Sequence, residues 1–111
     1  MENPKFQIKR STNNQFYFVL RAKNGEIVLT ASETYVSKQG CQDGISSVKV
    51  NAPYDSRYNR KDSVSQYSFN LEASNGKILG KSEMYTTRTG REDGISAVKR
   101  DAPNAPTEDL S

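Results

Sequence analysis

The side chains that could perform chemistry are few in this sequence of 111 residues. No histidine is present, so the commonest general base and the commonest metal ligand in proteins are both missing. The single cysteine, Cys41, therefore has no imidazole to activate it as a nucleophile. Its counterpart in a later, similar stretch is Arg91, and we interpret Cys41 as a structural thiol. The residue types predict no catalytic group, no cofactor-binding group and no metal site.

Two carboxylates occupy matching places in the sequence. Glu33 and Glu83 each follow a serine and stand two residues before a tyrosine, Tyr35 and Tyr85. Paired carboxylates can act in acid–base catalysis or bind a hard cation, but each of these acids lacks a companion at ligand spacing. We interpret them as part of polar loops tied down by local side-chain to backbone bonds, with the tyrosines packing over a sheet.

These residues belong to a sequence that contains one unit twice. The stretch from Asn24-Gly25 to Ala52-Pro53 returns as Asn75-Gly76 to Ala102-Pro103. A lone unit of about 50 residues would bury too little apolar surface to outweigh its chain entropy, whereas two units can pool their apolar faces. We predict a single domain made of a first repeat (residues 1–53) and a second repeat (residues 54–103), followed by a disordered tail (residues 104–111).

Alternation of apolar and polar residues predicts the strands. Phe6 and Ile8 mark the first strand, Phe16 to Ala22 the second, with its even-numbered side chains turned inward, and Ile27 to Ala31 the third. The Asn24-Gly25 pair between the last two predicts a type I′ hairpin, which needs positive φ at both central residues. The second repeat has one residue fewer after its hairpin, so we expect a β-bulge in the first copy.

A helix is predicted after the third strand of each repeat. In the first repeat Ser37 suits the N-cap position, and Pro53 would end the helix. The residues that share one helical face are Cys41, Ile45, Val48 and Ala52. The predicted fold class is therefore α+β: tandem β-β-β-α repeats form one antiparallel sheet with two helices packed on one face, related by a pseudo-twofold axis.

Three motifs carry a resemblance to a known family. They are the strand and hairpin Phe16–Gly25, the loops Ser32-Glu33-Thr34-Tyr35 and Ser82-Glu83-Met84-Tyr85, and the Asp-Gly-Ile-Ser-x-Val-Lys helices at residues 43–49 and 93–99. Together they resemble the YegP-like family of small bacterial proteins over nearly the whole chain. The resemblance implies a tandem-repeat α+β fold and leaves open the exchange of a terminal strand between repeats. Because the family is a domain of unknown function, the resemblance implies no activity.

Composition and charge narrow the setting in which the protein works. The 16 Lys and Arg and 13 Asp and Glu give a formal net charge of +3, with the basic excess in residues 1–60. A single cysteine excludes an intrachain disulfide and suits a reducing compartment. We see no signal peptide in the polar start of the sequence and no apolar run long enough to cross a bilayer. We expect a cytoplasmic monomer with an internal pseudo-dimer and no membrane partner.

The outward side chains of the second strand are the candidate partner-binding residues. They are Tyr17, Val19 and Arg21, and their counterparts in the second repeat differ while the inward residues match. We therefore favour a small non-enzymatic interaction module that binds a protein at this face or at a sheet edge. The alternative is weak binding of nucleic acid or another anion through the basic first half, although one tyrosine is a poor stacking platform. An enzyme of unrecognised type ranks last.

Overall fold

The computed structural model describes residues 3–111, which form a sheet and two helices. The strands are β1 (Lys5–Arg10), β2 (Phe16–Arg21), β3 (Ile27–Ala31), β4 (Tyr58–Ser63), β5 (Gln66–Glu72), β6 (Ile78–Lys81) and β7 (Thr107–Asp109). The helices are α1 (Lys38–Asn51) and α2 (Arg88–Asp101). Each helix is followed by a short 3-10 turn, Asp55–Arg57 and Ala102–Asn104 respectively. Neither helix is long and apolar enough to cross a membrane, as far as the described residues go.

The strands form one sheet in the order β4-β5-β6-β3-β2-β1-β7. Each repeat contributes a three-stranded antiparallel meander, β1-β2-β3 or β4-β5-β6, and one helix that packs on the shared sheet. The repeats meet at β3 and β6, where Thr30 pairs with Lys81 and Ala31 with Gly80. The predicted α+β class and the tandem arrangement are confirmed.

The segment after α2 corrects the prediction of a disordered tail at residues 104–111. Its residues Thr107–Asp109 form β7, which pairs with β1 in parallel, so the sheet is not antiparallel throughout. The physical reason is that the outer edge of β1 offers unpaired backbone groups. Phe6 N–H donates to the carbonyl of Pro106 at 2.8 Å, and Leu110 N–H donates to the carbonyl of Ile8 at 2.9 Å.

The core lies between the helices and the sheet and is shared by both repeats. Its largest fully buried side chains are Phe6, Phe18, Phe69, Ile8, Leu20, Leu29, Leu71, Ile95, Val19, Val48, Val98 and Cys41. At the seam between repeats, Leu29 meets Gly80, its own counterpart in the second repeat. A Cβ on Gly80 would lie 2.8 Å from Leu29 Cγ. One large side chain therefore fills the space at the pseudo-twofold axis, and a leucine from each repeat would not fit.

The helices begin and end as the sequence predicts. Ser37 Oγ accepts the backbone N–H of Gly40 at 2.9 Å, and Thr87 does the same for α2. These contacts satisfy donors that the first turn of a helix leaves unpaired. Helix α1 ends at Asn51, ahead of Pro53. The predicted face of α1 is buried in the core.

The Asn-Gly hairpins differ from the predicted type I′ geometry. Only their glycines have positive φ, 83° at Gly25 and 87° at Gly76, and the asparagines do not. Gly25 N–H donates to the carbonyl of Ala22 at 2.9 Å, so the tight turn covers Ala22–Gly25 and ends in a left-handed glycine. An Asn-Gly pair suits this longer loop as well, because only its last residue needs positive φ.

This loop explains why a β-bulge occurs in both repeats and not only in the first. The ladder shifts register between Leu20 and Arg21 and at the corresponding place, between Leu71 and Glu72. The additional residue of the first repeat instead lengthens β3, which has five residues where β6 has four. The predicted bulge in the first copy is confirmed, but it does not account for the additional residue, because the length difference lies at the end of the strand.

Candidate functional site at the β4 edge

β7 closes the sheet beside β1 with charge as well as backbone bonds. On the outer face, away from the helices, Gln7 Nε2 donates to Glu108 Oε1 at 2.7 Å and Lys5 Nζ lies 3.3 Å from the same carboxylate. Asp109 lies 2.8 Å from Lys38 Nζ, at the start of α1. The hydrogen bond from Gln7, and next that from Lys5, lowers the pKa of Glu108, and Lys38 lowers the pKa of Asp109. The β1 edge thus binds an ionised acidic strand.

β4 occupies the place of β1 in the second repeat, but its outer edge is open. Tyr58 pairs with Leu71 as Phe6 pairs with Leu20, so each β4 residue has a counterpart in β1. Over residues 3–111, no strand lies beyond β4. The cause is connectivity. The segment after α1 becomes β4 itself, whereas the segment after α2 can run beside β1.

The charges that hold β7 on β1 have counterparts around β4. Lys5, Gln7 and Lys38 correspond to Arg57, Asn59 and Arg88, since β4 matches β1 in register and α2 matches α1 in length. Cation therefore replaces cation and amide replaces amide. The side chain of Arg88 is 70% exposed. The outer face differs in one respect: Asn59 Nδ2 donates to Glu72 Oε2 at 3.1 Å, whereas Gln7 accepts from Arg21, the counterpart of Glu72, so a carboxylate replaces a cation there.

A chain of charged side chains supports β4 from the helix side. In order, it runs through Lys99, Asp55, Arg60, Glu92, Arg91, Asp62 and Arg88. Its central contacts are 2.9 Å from Arg60 Nε to Glu92 and 3.1 Å from Arg91 Nε to Glu92. The hydrogen bonds from Arg60 and then Lys99 lower the pKa of Asp55 to about 2, and Arg60 is the main cause of the lowered pKa of Glu92.

This ionic chain replaces apolar core. The first-repeat counterparts of Arg60 and Arg91 are Ile8 and Cys41, both fully buried. Arg91 is itself buried at 5% exposure, which its contact with Asp62 and its bond to the carbonyl of Lys61 make tolerable. The second repeat therefore has charged side chains next to its open edge strand, where the first repeat has buried apolar side chains next to its covered edge strand.

The sheet face predicted as the partner-binding surface is only partly accessible. Tyr17 and Arg21 are half-buried and Val19 is buried at 1% exposure, so the expectation that Val19 is exposed was wrong. The reason is a chain of hydrogen bonds across this face. Arg21 Nε donates to Gln7 Oε1 at 2.7 Å, and Gln7 in turn donates to Glu108. Val19 pairs with Gln7 beneath this layer of polar side chains.

The residues weighed as catalytic candidates do not meet. Burial, together with the charge of Asp109, raises the pKa of the Cys41 thiol to about 11, so Cys41 is a neutral core thiol at pH 7. Glu33 lies 3.7 Å from Lys77, whereas Glu83 lines a depression with Arg21 and Ile27. No group of three or more His, Cys, Asp or Glu side chains in residues 3–111 is arranged to hold a metal ion.

Two matching open clefts lie between the repeats, each about 400 Å³. In each one, a tyrosine and helical glycines of one repeat face the Asn-Gly hairpin of the other, with Tyr35 and Tyr85 as counterparts. Burial, and next the charges of Glu33 and Glu83 respectively, raises the pKa of each tyrosine, so both are neutral hydroxyls. Neither tyrosine is therefore suited to act as a base at neutral pH, although each cleft is also lined by two carboxylates.

The β4 edge was not singled out from the sequence, although one signal pointed to it. Cys41 and Arg91 occupy equivalent positions in otherwise similar helices, as do Ile8 and Arg60 in equivalent strands. An arginine where the other repeat has a core residue predicts a local ionic cluster in the second repeat. The open edge itself could not be inferred, because it depends on which strand β7 joins.

Comparison with known proteins places this architecture among bacterial relatives. A family model described as "Domain of unknown function (DUF1508)" matches residues 11–59 and 62–109. A UPF0339 protein of Bordetella pertussis is 50% identical over 105 residues, 92% of each chain. The solution NMR structure of a UPF0339 protein from Shewanella oneidensis superposes with a TM-score of 0.89 at 38% identity, covering 96% of this chain and 91% of that one. The solution NMR structure of the protein of unknown function yegP from E. coli gives a TM-score of 0.89 at 40% identity, covering 99% and 95%.

Proposed function

The chain belongs to the DUF1508 family, which has no established function, and we propose that it is a small non-enzymatic binding module that takes an extended segment of a partner protein along the open edge of β4. Strand addition at a sheet edge is a common mode of peptide recognition, in which backbone bonds supply affinity and side-chain contacts supply specificity. The observation that carries the proposal is the difference between the two ends of the sheet, β1 covered by β7 and β4 uncovered.

The backbone groups that a partner would use can be named. On β1, the carbonyl of Ile8 accepts Leu110 N–H, and its counterpart on β4 is the carbonyl of Arg60. The side chain of Arg60 is held by Glu92 and Asp55, so β4 is already fixed before a partner arrives. A fixed edge loses little conformational entropy on binding, which favours association.

The competing explanation is that the charged residues of β4 only prevent aggregation. Natural sheets often protect an edge strand with charged side chains, and β4 contains Arg60, Lys61 and Asp62 in succession. This explanation predicts that nothing binds the edge.

Position-specific photo-crosslinking separates the two explanations. A photoreactive amino acid is placed at Lys61, and in a matched control at Lys9, its counterpart on the covered strand β1. Both variants are exposed to lysate, and the adducts are mapped by mass spectrometry. We expect Lys61 to yield adducts with one defined segment of a partner protein and Lys9 to yield none. The same adducts from both positions, or none from Lys61, would contradict the proposal.

Nucleic-acid binding receives no specific support. Four of the six cations around β4 are paired with carboxylates, among them Arg60 with Glu92 and Lys99 with Asp55. Nuclease treatment and a salt series in the crosslinking experiment test this alternative, because phosphate contacts weaken steeply with salt.

We also propose that the module works as a monomer in the cytoplasm. The single cysteine, Cys41, is buried as a free thiol, which suits a reducing compartment. The absence of a catalytic role remains part of the proposal. A turnover assay that detects product with purified protein would overturn it.

A further inference from the structure

We propose that the segment taken up by β4 is acidic and runs parallel to β4, in the manner of β7 on β1. This inference rests on the proposed function and adds the chemistry and direction of the bound segment. The template is the pairing of β7 with β1 at the opposite edge of the same sheet. Within one molecule, the same strand type is seen both occupied and open, so the occupied edge indicates what fits the open one.

The first argument is the identity of the charges at equivalent positions. β7 places Glu108 by Lys5 and Gln7, and Asp109 by Lys38. A carboxylate laid at the place of Asp109 would reach Arg88, the counterpart of Lys38 at the first residue of α2. At the place of Glu108 the surroundings differ, because Arg57 Nε donates to Asn51 Oδ1 at 2.9 Å and Asn59 already binds Glu72. Guanidinium groups bind carboxylates through paired hydrogen bonds, so arginine in place of Lys38 strengthens the preference for acid at the Asp109 position.

The second argument is the charge balance around β4. Cations outnumber carboxylates there: the cations are Arg57, Arg60, Lys61, Arg88, Arg91 and Lys99, and the carboxylates are Asp55, Asp62, Glu72 and Glu92. Asp62 lies 3.3 Å from Arg88, but it also contacts the buried Arg91. The side chain of Arg88 remains 70% exposed, so its guanidinium can still bind a second carboxylate.

The third argument concerns direction. The parallel register of β7 sets Thr107 opposite Phe6 and Asp109 opposite Ile8. It therefore brings the first carboxylate to the outer face and the second to the helix face. A segment that ran antiparallel would meet the same cations with its side chains in the opposite order. β4 differs from β1 at its first residue, because Tyr58 N–H donates to the carbonyl of Asp55, whereas Phe6 N–H, its counterpart, donates to the carbonyl of Pro106, just before β7. A parallel segment would therefore begin its bonds to β4 after Tyr58.

The experiment uses the full chain and two synthetic peptides followed by NMR. The first peptide copies residues 104–111, and the second carries E108K and D109K. Each peptide is titrated to millimolar concentration, so that binding with a dissociation constant in the millimolar range, as expected of a short peptide, can be detected. We expect the acidic peptide to shift the backbone amides of Arg60 and Asp62, with an effect that weakens as salt is added. We expect the basic peptide to leave β4 unchanged.

Orientation and charge recognition are tested separately. A spin label at the N-terminus of the acidic peptide should broaden signals near Tyr58 if binding is parallel, and near Ser63 if it is antiparallel. Arg88→Gln should raise the dissociation constant about two- to fivefold, the range typical of one exposed ion pair. The matched control Lys38→Gln, which touches β7 and not β4, should leave the dissociation constant at β4 unchanged.

The outcomes distinguish this inference from the function on which it rests. Antiparallel binding, or equal binding of the acidic and basic peptides at β4, overturns the inference and leaves edge binding in place. Shifts confined to β1, through displacement of β7, also overturn it, because the template would then apply to one edge only. The absence of any shift at β4 with either peptide overturns the inference and the proposed function together.

Discussion

Substituting Gly44 by alanine should destabilise the protein, although alanine is the better helix former. Gly44 lies inside α1 beneath the ring of Tyr35. A Cβ at this position would lie 2.5 Å from Tyr35 Oη, 2.9 Å from Tyr35 Cζ and 3.2 Å from Phe18 Cε2. Contacts this short require the ring to move. The ring stacks on Phe18, with ring centroids 6.3 Å apart, and the backbone of Tyr35 exchanges hydrogen bonds of 2.7 and 2.8 Å with Phe16, so the side chain is restrained at both ends.

Two opposing contributions set the magnitude. Replacing glycine by alanine within a helix contributes about 1 kcal/mol of stability, and overpacking a rigid site costs about 1–3 kcal/mol. With two ring atoms and a phenylalanine in contact, we expect the upper part of that range and a net loss of about 1–2 kcal/mol. Gly40→Ala is the matched control, because its nearest neighbour would be Ser37 Oγ at 3.2 Å and the tyrosine ring stays beyond 3.5 Å. This control should be neutral or stabilising.

Urea unfolding of both variants measures the difference through the midpoint and the slope m. A second background tests the cause. In Tyr35→Leu, which removes the ring, Gly44→Ala should change sign and become stabilising. Equal stability of the Gly44 and Gly40 variants, or a Gly44→Ala loss that persists without the ring, would refute the steric argument.

Three further predictions concern the core, the edge strand and the cysteine. Val48→Ala and Val98→Ala should each lower the free energy of unfolding by about 1–3 kcal/mol, because both side chains are fully buried. An unchanged urea midpoint for either variant would mean that its helix does not dock on the core. The docking of β7 should weaken in acid, because bonds to its partners lower the folded-state pKa of Glu108 and Asp109. This stabilisation is complete above the unfolded pKa near 4 and is lost as the pH falls through the lowered folded-state pKa values. Faster hydrogen exchange of the β1 amides facing β7 at low pH would report the loss, and exchange protection that does not change with pH would contradict it. Cys41, with its pKa raised to about 11 by burial, should react with a thiol reagent at pH 8 at least about a hundredfold more slowly than in denaturant, and rapid labelling of the native protein would show that the thiol is accessible.

The sequence predicted the parts of the fold that local pattern controls. The strand that begins at Phe16, the cap at Ser37 and the buried face of α1 all depend on residues close together in the chain, and all three are confirmed. Propensity and periodicity report this kind of information directly.

The parts it missed depend on contacts between distant residues. β7 is three polar residues long, and the bond between Gln7 and Glu108 spans 101 positions. Val19 was assigned to an exposed face by alternation, but alternation cannot reveal that Arg21 and Gln7 lie across it. The candidate site has the same origin, because an open edge is defined by where the rest of the chain goes.

The connectivity that leaves β4 uncovered also limits the number of sheet edges at which another strand can pair. A sheet with two long unpaired edges can pair with another copy at each edge, so copies can add without limit and form a fibre. In residues 3–111, one edge is covered by β7, a strand of three residues with two acidic side chains, and the edge of β4 is open. Under the proposed edge binding, the protein would therefore take up one strand, along β4, and the assembly would stop there.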